Sequence, residues 1–363
     1  MDARRAQHDS DSHAAGRDGA PPAQQTHGRQ GIFREERRMN TPKQPTRREV
    51  LALPLILAPV AAHATAYPGR PVRLVLPFGP GSATDTLMRL IAEPLGAALG
   101  QSVVIENRPG ALTSLALAHV AKSPPDGYTL VVATNSIVAN PAGVQRNVPF
   151  DPFRDFTPIT RLAVTTYVLV VAADKPWKTI GELTEHARAN PGKLNYGSGN
   201  LGGLLYGGML ARSIDARMTH VPYKSTPQAL VDLIGGQVQW MFTDIVTASA
   251  QVEGGKVRAL LATAPQRTAM FPDVPTIAES GLRGITDMPA WFALLGPAGL
   301  PKDVVERLNR EVGKVLGNGD LRTRLLSMGL EATPSTPQAL AEFMREQSQG
   351  YVRLIKEFGI QPE

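Results

Sequence analysis

Within the stretch Val72–Arg89, VRLVLPFGPGSATDTLMR, a strand, a turn and the start of a helix follow one another without a spacer. Val72, Leu74, Val75 and Leu76 form the near-continuous apolar run of a strand covered on both faces. Pro77 to Gly81 can only turn. Ser82, Thr84 and Asp85 are candidate N-caps, and Leu87, Leu90, Ile91, Leu95, Ala98 and Leu99 then recur at helical spacing. Pro94 is expected to bend that helix or to interrupt its hydrogen bonding. A strand–turn–helix of this kind aims free backbone N–H groups and a positive helix end at one point, which suits a carboxylate or phosphate.

The same alternation continues down the chain. Strands are expected at Val72–Phe78, Ser102–Glu106, Thr129–Thr134, Tyr167–Ala172, Leu194–Tyr196, Met218–Tyr223, Val238–Phe242, Val257–Thr263 and Phe292–Gly296. Helical patterns lie between them and dominate from Asp303 to Phe358. This predicts an α/β protein with mainly parallel sheets covered by helices on both faces. Turn clusters at 140–158 and 281–289 are candidate crossings between domains. Leu194–Leu210, LNYGSGNLGGLLYGGML, repeats the strand, Gly-rich loop and helix of the first unit. Two domains that each offer a helix N-terminus to a shared cleft would make a ligand clamp.

The N-terminal region has a different character. Residues 1–38 are polar, lack apolar periodicity and are expected to be disordered, with Met39 as the true start of translation. Residues 39–66 have the make-up of a signal peptide. Lys43, Arg47 and Arg48 are followed by the apolar run Val50–Ala62 and by the small-residue cleavage sites AHA and ATA. The apolar run, about 13 residues, is short of the roughly 20 needed to span a bilayer. Thr46-Arg47-Arg48-Glu49-Val50-Leu51 is similar to a twin-arginine export signal, with an ordinary secretory n-region as the alternative. A periplasmic protein starting near Tyr67 is expected.

Composition removes several function classes. The formal charge of +6 falls to +3 once residues 1–66 are set aside, and no Lys/Arg stripe is interleaved with aromatics, so nucleic acid is not an expected partner. With no cysteine, thiolate metal sites and cysteine nucleophiles are excluded. Gly197–Gly202 is formally G-x-G-x-x-G, but the strand after it is followed by Lys224 and Ser225 rather than a ribose-binding acid. Ser82 and Ser198 do not sit in a G-x-S-x-G elbow, and His119, His186 and His220 fall in helical or strand patterns. No nucleophile–base pair, metal cluster or cofactor is expected. Asp85 is a helix cap, an acid/base or a ligand contact; Asp244 caps a helix or meets a cationic group. Trp240 and Trp291 are expected in the packing.

Several collinear motifs resemble one family. They are YPGRPVRLVLPFGPGSATD (67–85), VVIENRPGA (103–111), AKSPPDGYTL (121–130), VPFDPFRDFTPI (148–159), PGKLNYGS (191–198), VPYKS (221–225), LIGGQVQWMF (233–242) and MFPDVPTIAESGL (270–282). This pattern resembles the Bug/TctC extracytoplasmic solute receptors of tripartite tricarboxylate transporters. The resemblance implies a two-domain, type II-like Venus-flytrap fold with domain 1 at 67–167 and 289–363 and domain 2 at 168–288. It implies a non-enzymatic, monomeric receptor for a small carboxylate, working with membrane transporter subunits or with a sensor kinase.

Carried over residue by residue, the resemblance makes Phe78, Gly81, Ser82, Ala83, Thr84 and Asp85 the first jaw, and Ser198, Gly199, Asn200, Gly202 and Gly203 the second. Thr134, Asn135, Ser136 and Tyr223 match positions that line the cleft; Asp244 joins them as a ligand-binding candidate from its place after a strand, and Phe78, Leu204 and Tyr206 are candidates for an apolar wall. The jaws are expected to hold the ligand largely through backbone N–H groups, which do not titrate, so affinity should vary little across neutral pH. Three departures stand out: Ser82 after Gly81, Leu112-Thr113-Ser114 where the family has Gly-Gly-Asn, and Leu204-Leu205-Tyr206 where it has small hydroxyl residues and a His. They favour a monocarboxylate or aromatic acid over a citrate-like ligand. The rival from another class is an exported α/β enzyme acting on a carboxylate.

Overall fold

The computed structural model describes residues 67–358. The expectations for residues 1–38 (disordered or a misassigned start), for residues 39–66 (a signal peptide) and for the arginine pair all fall outside the described residues.

Buried apolar runs become strands, and each Gly-rich turn after them starts a helix. In chain order the first group is β1 (Val72–Leu76), α1 (Ala83–Leu99), β2 (Val103–Asn107), α2 (Ser114–Ala121), β3 (Thr129–Thr134), α3 (Ser136–Ala139) and β4 (Phe156–Thr165). The second is β5 (Tyr167–Ala172), α4 (Ile180–Ala189), β6 (Asn195–Ser198), α5 (Leu201–Ser213), β7 (Thr219–Pro222), α6 (Thr226–Ile234), β8 (Trp240–Asp244), α7 (Ile245–Glu253) and β9 (Val257–Ala262). After α8 (Ile277–Ser280) come β10 (Ala290–Pro297), α9 (Lys302–Gly317), α10 (Gly319–Ser327), β11 (Leu330–Ala332) and α11 (Pro337–Phe358).

The strands form a six-stranded sheet ordered β11-β4-β10-β3-β1-β2 and a five-stranded sheet ordered β7-β6-β8-β5-β9. The chain changes sheet between Thr165 and Tyr167 and again between Ala262 and Ala290. The 281–289 cluster lies on the second change. The 140–158 cluster does not lie on a change, because β3 and β4 belong to the same sheet.

Both sheets are mixed rather than mainly parallel. β1–β2, β1–β3, β6–β7 and β6–β8 pair in parallel, and the other five pairings are antiparallel. The antiparallel pairings each involve β4, β5 or β10, strands next to the two changes of sheet. A returning strand enters its new sheet without the helical crossover that parallel pairing requires.

Strand β4 was masked in the sequence by Pro158. In the ladder with β10, Leu294 faces Thr160 and Leu295 faces Pro158, so Ile159 is an extra residue at a bulge, one of the few strand positions that accept proline.

Helix α1 runs unbroken past the exposed Pro94, since its buried stripe Leu87, Met88, Ile91, Leu95 and Leu99 anchors both halves. It stops at Gly100, which is left-handed and returns its N–H to Gly96 O at 2.9 Å. Trp240 and Trp291 are fully buried in the same apolar cluster.

Candidate ligand-binding site

The C-terminal ends of β1, β3, β6 and β8 converge on one cavity, the place where open α/β sheets bind ligands. The first turns of α1, α5 and α6 and the cap of α7 line it, through Ser82, Ala83 and Thr84, then Asn200 and Leu201, Thr226, and Asp244. Phe78, Thr134, Asn135, Ser136, Tyr167, Ala290 and Phe292 complete the lining. Its free volume is about 20 Å³, little more than a bound water needs. Phe78, Ser136, Asn200 and Leu201 also border a wider chamber of about 310 Å³. That chamber is lined further by Ala111, Leu112, Thr113, Gln145, Gly199, Pro222, Tyr223 and Lys224.

The inner cavity is built from caps. Ser82 Oγ accepts from Asp85 N at 3.3 Å and so starts α1. Asn200 Oδ1 accepts from Gly203 N at 2.8 Å and starts α5, while its Nδ2 donates to Thr226 Oγ1 (3.0 Å) and Asp244 Oδ2 (3.4 Å). A single amide therefore ties three helix N-termini together. Asp244 Oδ1 accepts from Thr247 N (2.8 Å) and Thr247 Oγ1 (2.6 Å). Burial pushes the Asp244 carboxyl up, against those Thr247 bonds. An α-helix leaves its first N–H groups without intrahelical acceptors, so the amides of Ala83, Thr84 and Leu201 are free to meet an anion. Thr84 is 1% exposed and its hydroxyl has no partner. No Lys, Arg or His lines this cavity.

Other expected site residues serve as supports. Asp85 accepts from Gly81 N (3.0 Å), from Arg89 (2.9 and 3.1 Å) and from Asn107 Nδ2 (3.1 Å), and Asn107 also binds Phe78 O at 2.8 Å. Burial alone would raise the Asp85 carboxyl, but the bonds from Arg89, Gly81 and Asn107 outweigh it and hold the group below the usual range. Asp85 thus fixes the turn in which Gly81 takes φ 79°. Gly202 lies under the Tyr167 ring, and a Cβ there would overlap the ring. Gly203 packs against the Phe242 carbonyl. Asn135 spends its side chain on the protein, donating to Pro289 O (3.1 Å) and Tyr351 OH (2.7 Å) and accepting from Trp291 N (3.1 Å). It anchors β10 and α11 to the cavity wall.

Leu204 and Tyr206 line neither space. Leu204 packs on the core, and Tyr206 stands behind Tyr167 at 5.3 Å, its hydroxyl accepting from Met288 N at 2.7 Å. No nucleophile–base pair is expected from the sequence, yet Ser198 Oγ lies 2.6 Å from His220 Nε2. The pair spans the neighbouring strands β6 and β7, and it lines neither the cavity nor the chamber. Among the described residues no cluster of His, Asp or Glu could hold a metal.

The site had contributors that local patterns did not flag. Tyr167, Thr226, Ala290 and Phe292 reach it through sheet order, and Gln145 and Lys224 reach the chamber from separate loops. Leu112-Thr113 was flagged as a departure, and its geometry is unusual. Ala111 (φ 46°), Leu112 (φ 46°) and Thr113 (φ 78°) are all left-handed, a conformation that favours glycine.

The sequence profile of the tripartite tricarboxylate transporter family receptors, TctC, matches residues 87–360. The chain belongs to this family. A UPF0065 protein from the tcbD-tcbE intergenic region of Pseudomonas sp. strain P51 is 35% identical over 301 residues, which cover 82% of this chain and 89% of the relative. Among solved structures, Rhodopseudomonas palustris Rpa4515 with adipate superimposes with a TM-score of 0.78 at 34% identity, covering 82% of this chain and all of that one. The periplasmic binding protein BugD does so with a TM-score of 0.78 at 30% identity, over 82% of this chain and all of BugD. The TctC chain described here is therefore a periplasmic-type solute-binding receptor of the Bug/TctC family, and its similar structures are binding proteins rather than enzymes. Among the described residues no helix is long and apolar enough to cross a membrane.

Proposed function

We propose that this receptor captures a small carboxylate in the inner cavity and delivers it to the membrane subunits of a tripartite transporter. The observation that carries this reading is the convergence of the α1, α5 and α6 N-termini on a cavity without basic side chains, with the Thr84 hydroxyl unmet. Backbone N–H groups at helix starts stabilise an anion by about 0.3–2 kcal/mol per helix. The adipate in Rpa4515 supports the same ligand class. The body of the ligand extends past Phe78 and Leu201 into the chamber, where Lys224 is the one cation among the lining residues.

Export by a cleaved signal peptide at 39–66 and a division into lobes 67–167 with 289–363, and 168–288, belong to the same proposal. The places where strands change sheet support that division, with Thr166 as the first crossing residue. The enzyme reading has one observation in its favour, the Ser198–His220 pair, and its position away from both cavities speaks against it.

The test is a thermal-shift screen of linear and aromatic carboxylates against the protein from Tyr67 onward. A ligand at about 100 times its Kd adds about 2.7 kcal/mol of stability, and cationic amines are expected to add none. Thr84→Val, which removes an unmet hydroxyl from the cavity wall, is expected to weaken the best ligand about tenfold, the equivalent of ~1.4 kcal/mol. Absence of a shift with every carboxylate contradicts the reading.

A further inference from the structure

The inner cavity holds a carboxyl group of its own. Asp244 is 4% exposed and lines the cavity at the end of β8, in direct register with Tyr167 on β5. Its oxygens are bonded only to neutral donors, the Thr247 amide and hydroxyl and the Asn200 amide. Tyr167 is the titratable group that faces it. Tyr206 and Tyr351, from α5 and α11, stand beside Tyr167, and burial pushes all three phenols up, so they are neutral. The residues contributed by α1, β3, α6 and β10 carry no charge.

A ligand carboxylate placed here shares about 20 Å³ with Asp244 and finds no cation to separate the two. Two carboxyl groups forced together in a low-dielectric space do not both ionise; one keeps a proton and donates it to the other. Three helix starts, those of α1, α5 and α6, favour the charged form of the ligand, against the single α7 start and the Thr247 bonds that favour an ionised Asp244, so the proton resides on Asp244. We propose that Asp244 receives the ligand as its neutral acid, so that the receptor takes up a carboxylate together with one proton from solvent. This rests on the carboxylate lying in the inner cavity. It revises the expectation that backbone donors make affinity indifferent to pH.

Asp244 then has two tasks. One oxygen caps α7 in either protonation state. The other, now carrying a hydrogen, can turn from its weak contact with Asn200 to the ligand. A neutral ligand amide of the same shape can donate its own N–H to an ionised Asp244 and so draws in no proton. Affinity for the carboxylate falls as pH rises from the pKa of Asp244 in the empty receptor to its higher pKa in the complex.

Calorimetric titration from pH 6 to 9, in buffers of different ionisation enthalpy, reads this directly. The probe is adipate, or the tightest acid of a C3 to C8 and benzoate series. The wild type is expected to take up as much as one proton per ligand, and its affinity to drop by up to tenfold per pH unit over part of the range. Asp244→Asn retains the Thr247 cap, because an amide oxygen accepts as a carboxylate does, and is expected to abolish the slope. If the variant does not fold, the wild-type proton count alone decides the matter. Binding that stays within twofold across the range without proton uptake overturns the inference and leaves the carboxylate reading standing. So does a slope that persists in Asp244→Asn. Failure of every acid to bind defeats both.

Discussion

At the scale of single residues, the first jaw depends on a carboxylate that never faces the cavity. Asp85 gathers the Gly81 amide, Arg89 and Asn107 around the β1–α1 turn. Arg89 is more than half exposed, so its pairing is screened and the buried bonds matter more. Asp85→Asn is expected to cost about 1–3 kcal/mol in chemical denaturation at pH 7. The pH dependence follows from the lowered carboxyl. Its contribution is complete above about pH 4, the unfolded value, and is lost as pH falls through the lower folded value. Asp85→Asn should therefore flatten the acid limb of the stability curve; an unchanged limb would assign it to other carboxylates. The left-handed turn 111–113 makes a second prediction. Ala111 is exposed and holds φ 46°, so Ala111→Gly is expected to raise stability by about 1 kcal/mol, because a Cβ in that region costs roughly 1–2 kcal/mol. A loss of melting temperature in that variant would contradict the strained turn.

At the scale of elements, α5 shows how small residues place a jaw. Gly202 admits the Tyr167 ring and Gly207 admits Tyr196, so the helix lies close against the second sheet. Gly208, exposed one residue further on, would bring a Cβ only into ordinary contact with the Tyr196 hydroxyl, at 4.0 Å. Gly202→Ala is expected to cost about 2–4 kcal/mol through overpacking, whereas Gly208→Ala should be neutral or gain up to ~1 kcal/mol from helix propensity. Thermal unfolding of the two variants checks the contrast, and equal effects would refute the packing role.

Elements of this kind were legible in sequence because their signals are local. The Gly-rich turns, the Ser82 cap and the α1 apolar stripe all fall within a few residues of one another. β4 was not legible, because Pro158 counts against a strand until its bulge partner on β10 is known. β11 spans only Leu330–Ala332, too short for a period-two pattern.

At the scale of the whole molecule, two sheets meet at a cavity whose wall is assembled from distant parts of the chain. Local patterns reached both jaws but not Tyr167, Thr226, Ala290 or Phe292, since only the strand order brings these together. The same limit explains Tyr206, which the departure from the family pattern suggested for the cavity wall and packing places behind Tyr167. Near the changes of sheet, Thr263 accepts from Tyr167 N at 3.1 Å and its hydroxyl lies 3.1 Å from that of Thr166. These paired crossings are where closure between the proposed lobes would pivot. Small-angle scattering is expected to record a smaller radius of gyration on saturation with ligand, and an unchanged radius would argue for a preformed site. The central claim is that helix starts select negative charge. Its most direct measurement is calorimetric titration of the tightest carboxylate beside its isosteric amide, adipate beside adipamide if adipate is the tightest. The account predicts that the acid binds and the amide binds at least a hundredfold more weakly, about 2.8 kcal/mol apart. Equal affinities, or binding of the amide alone, would contradict it.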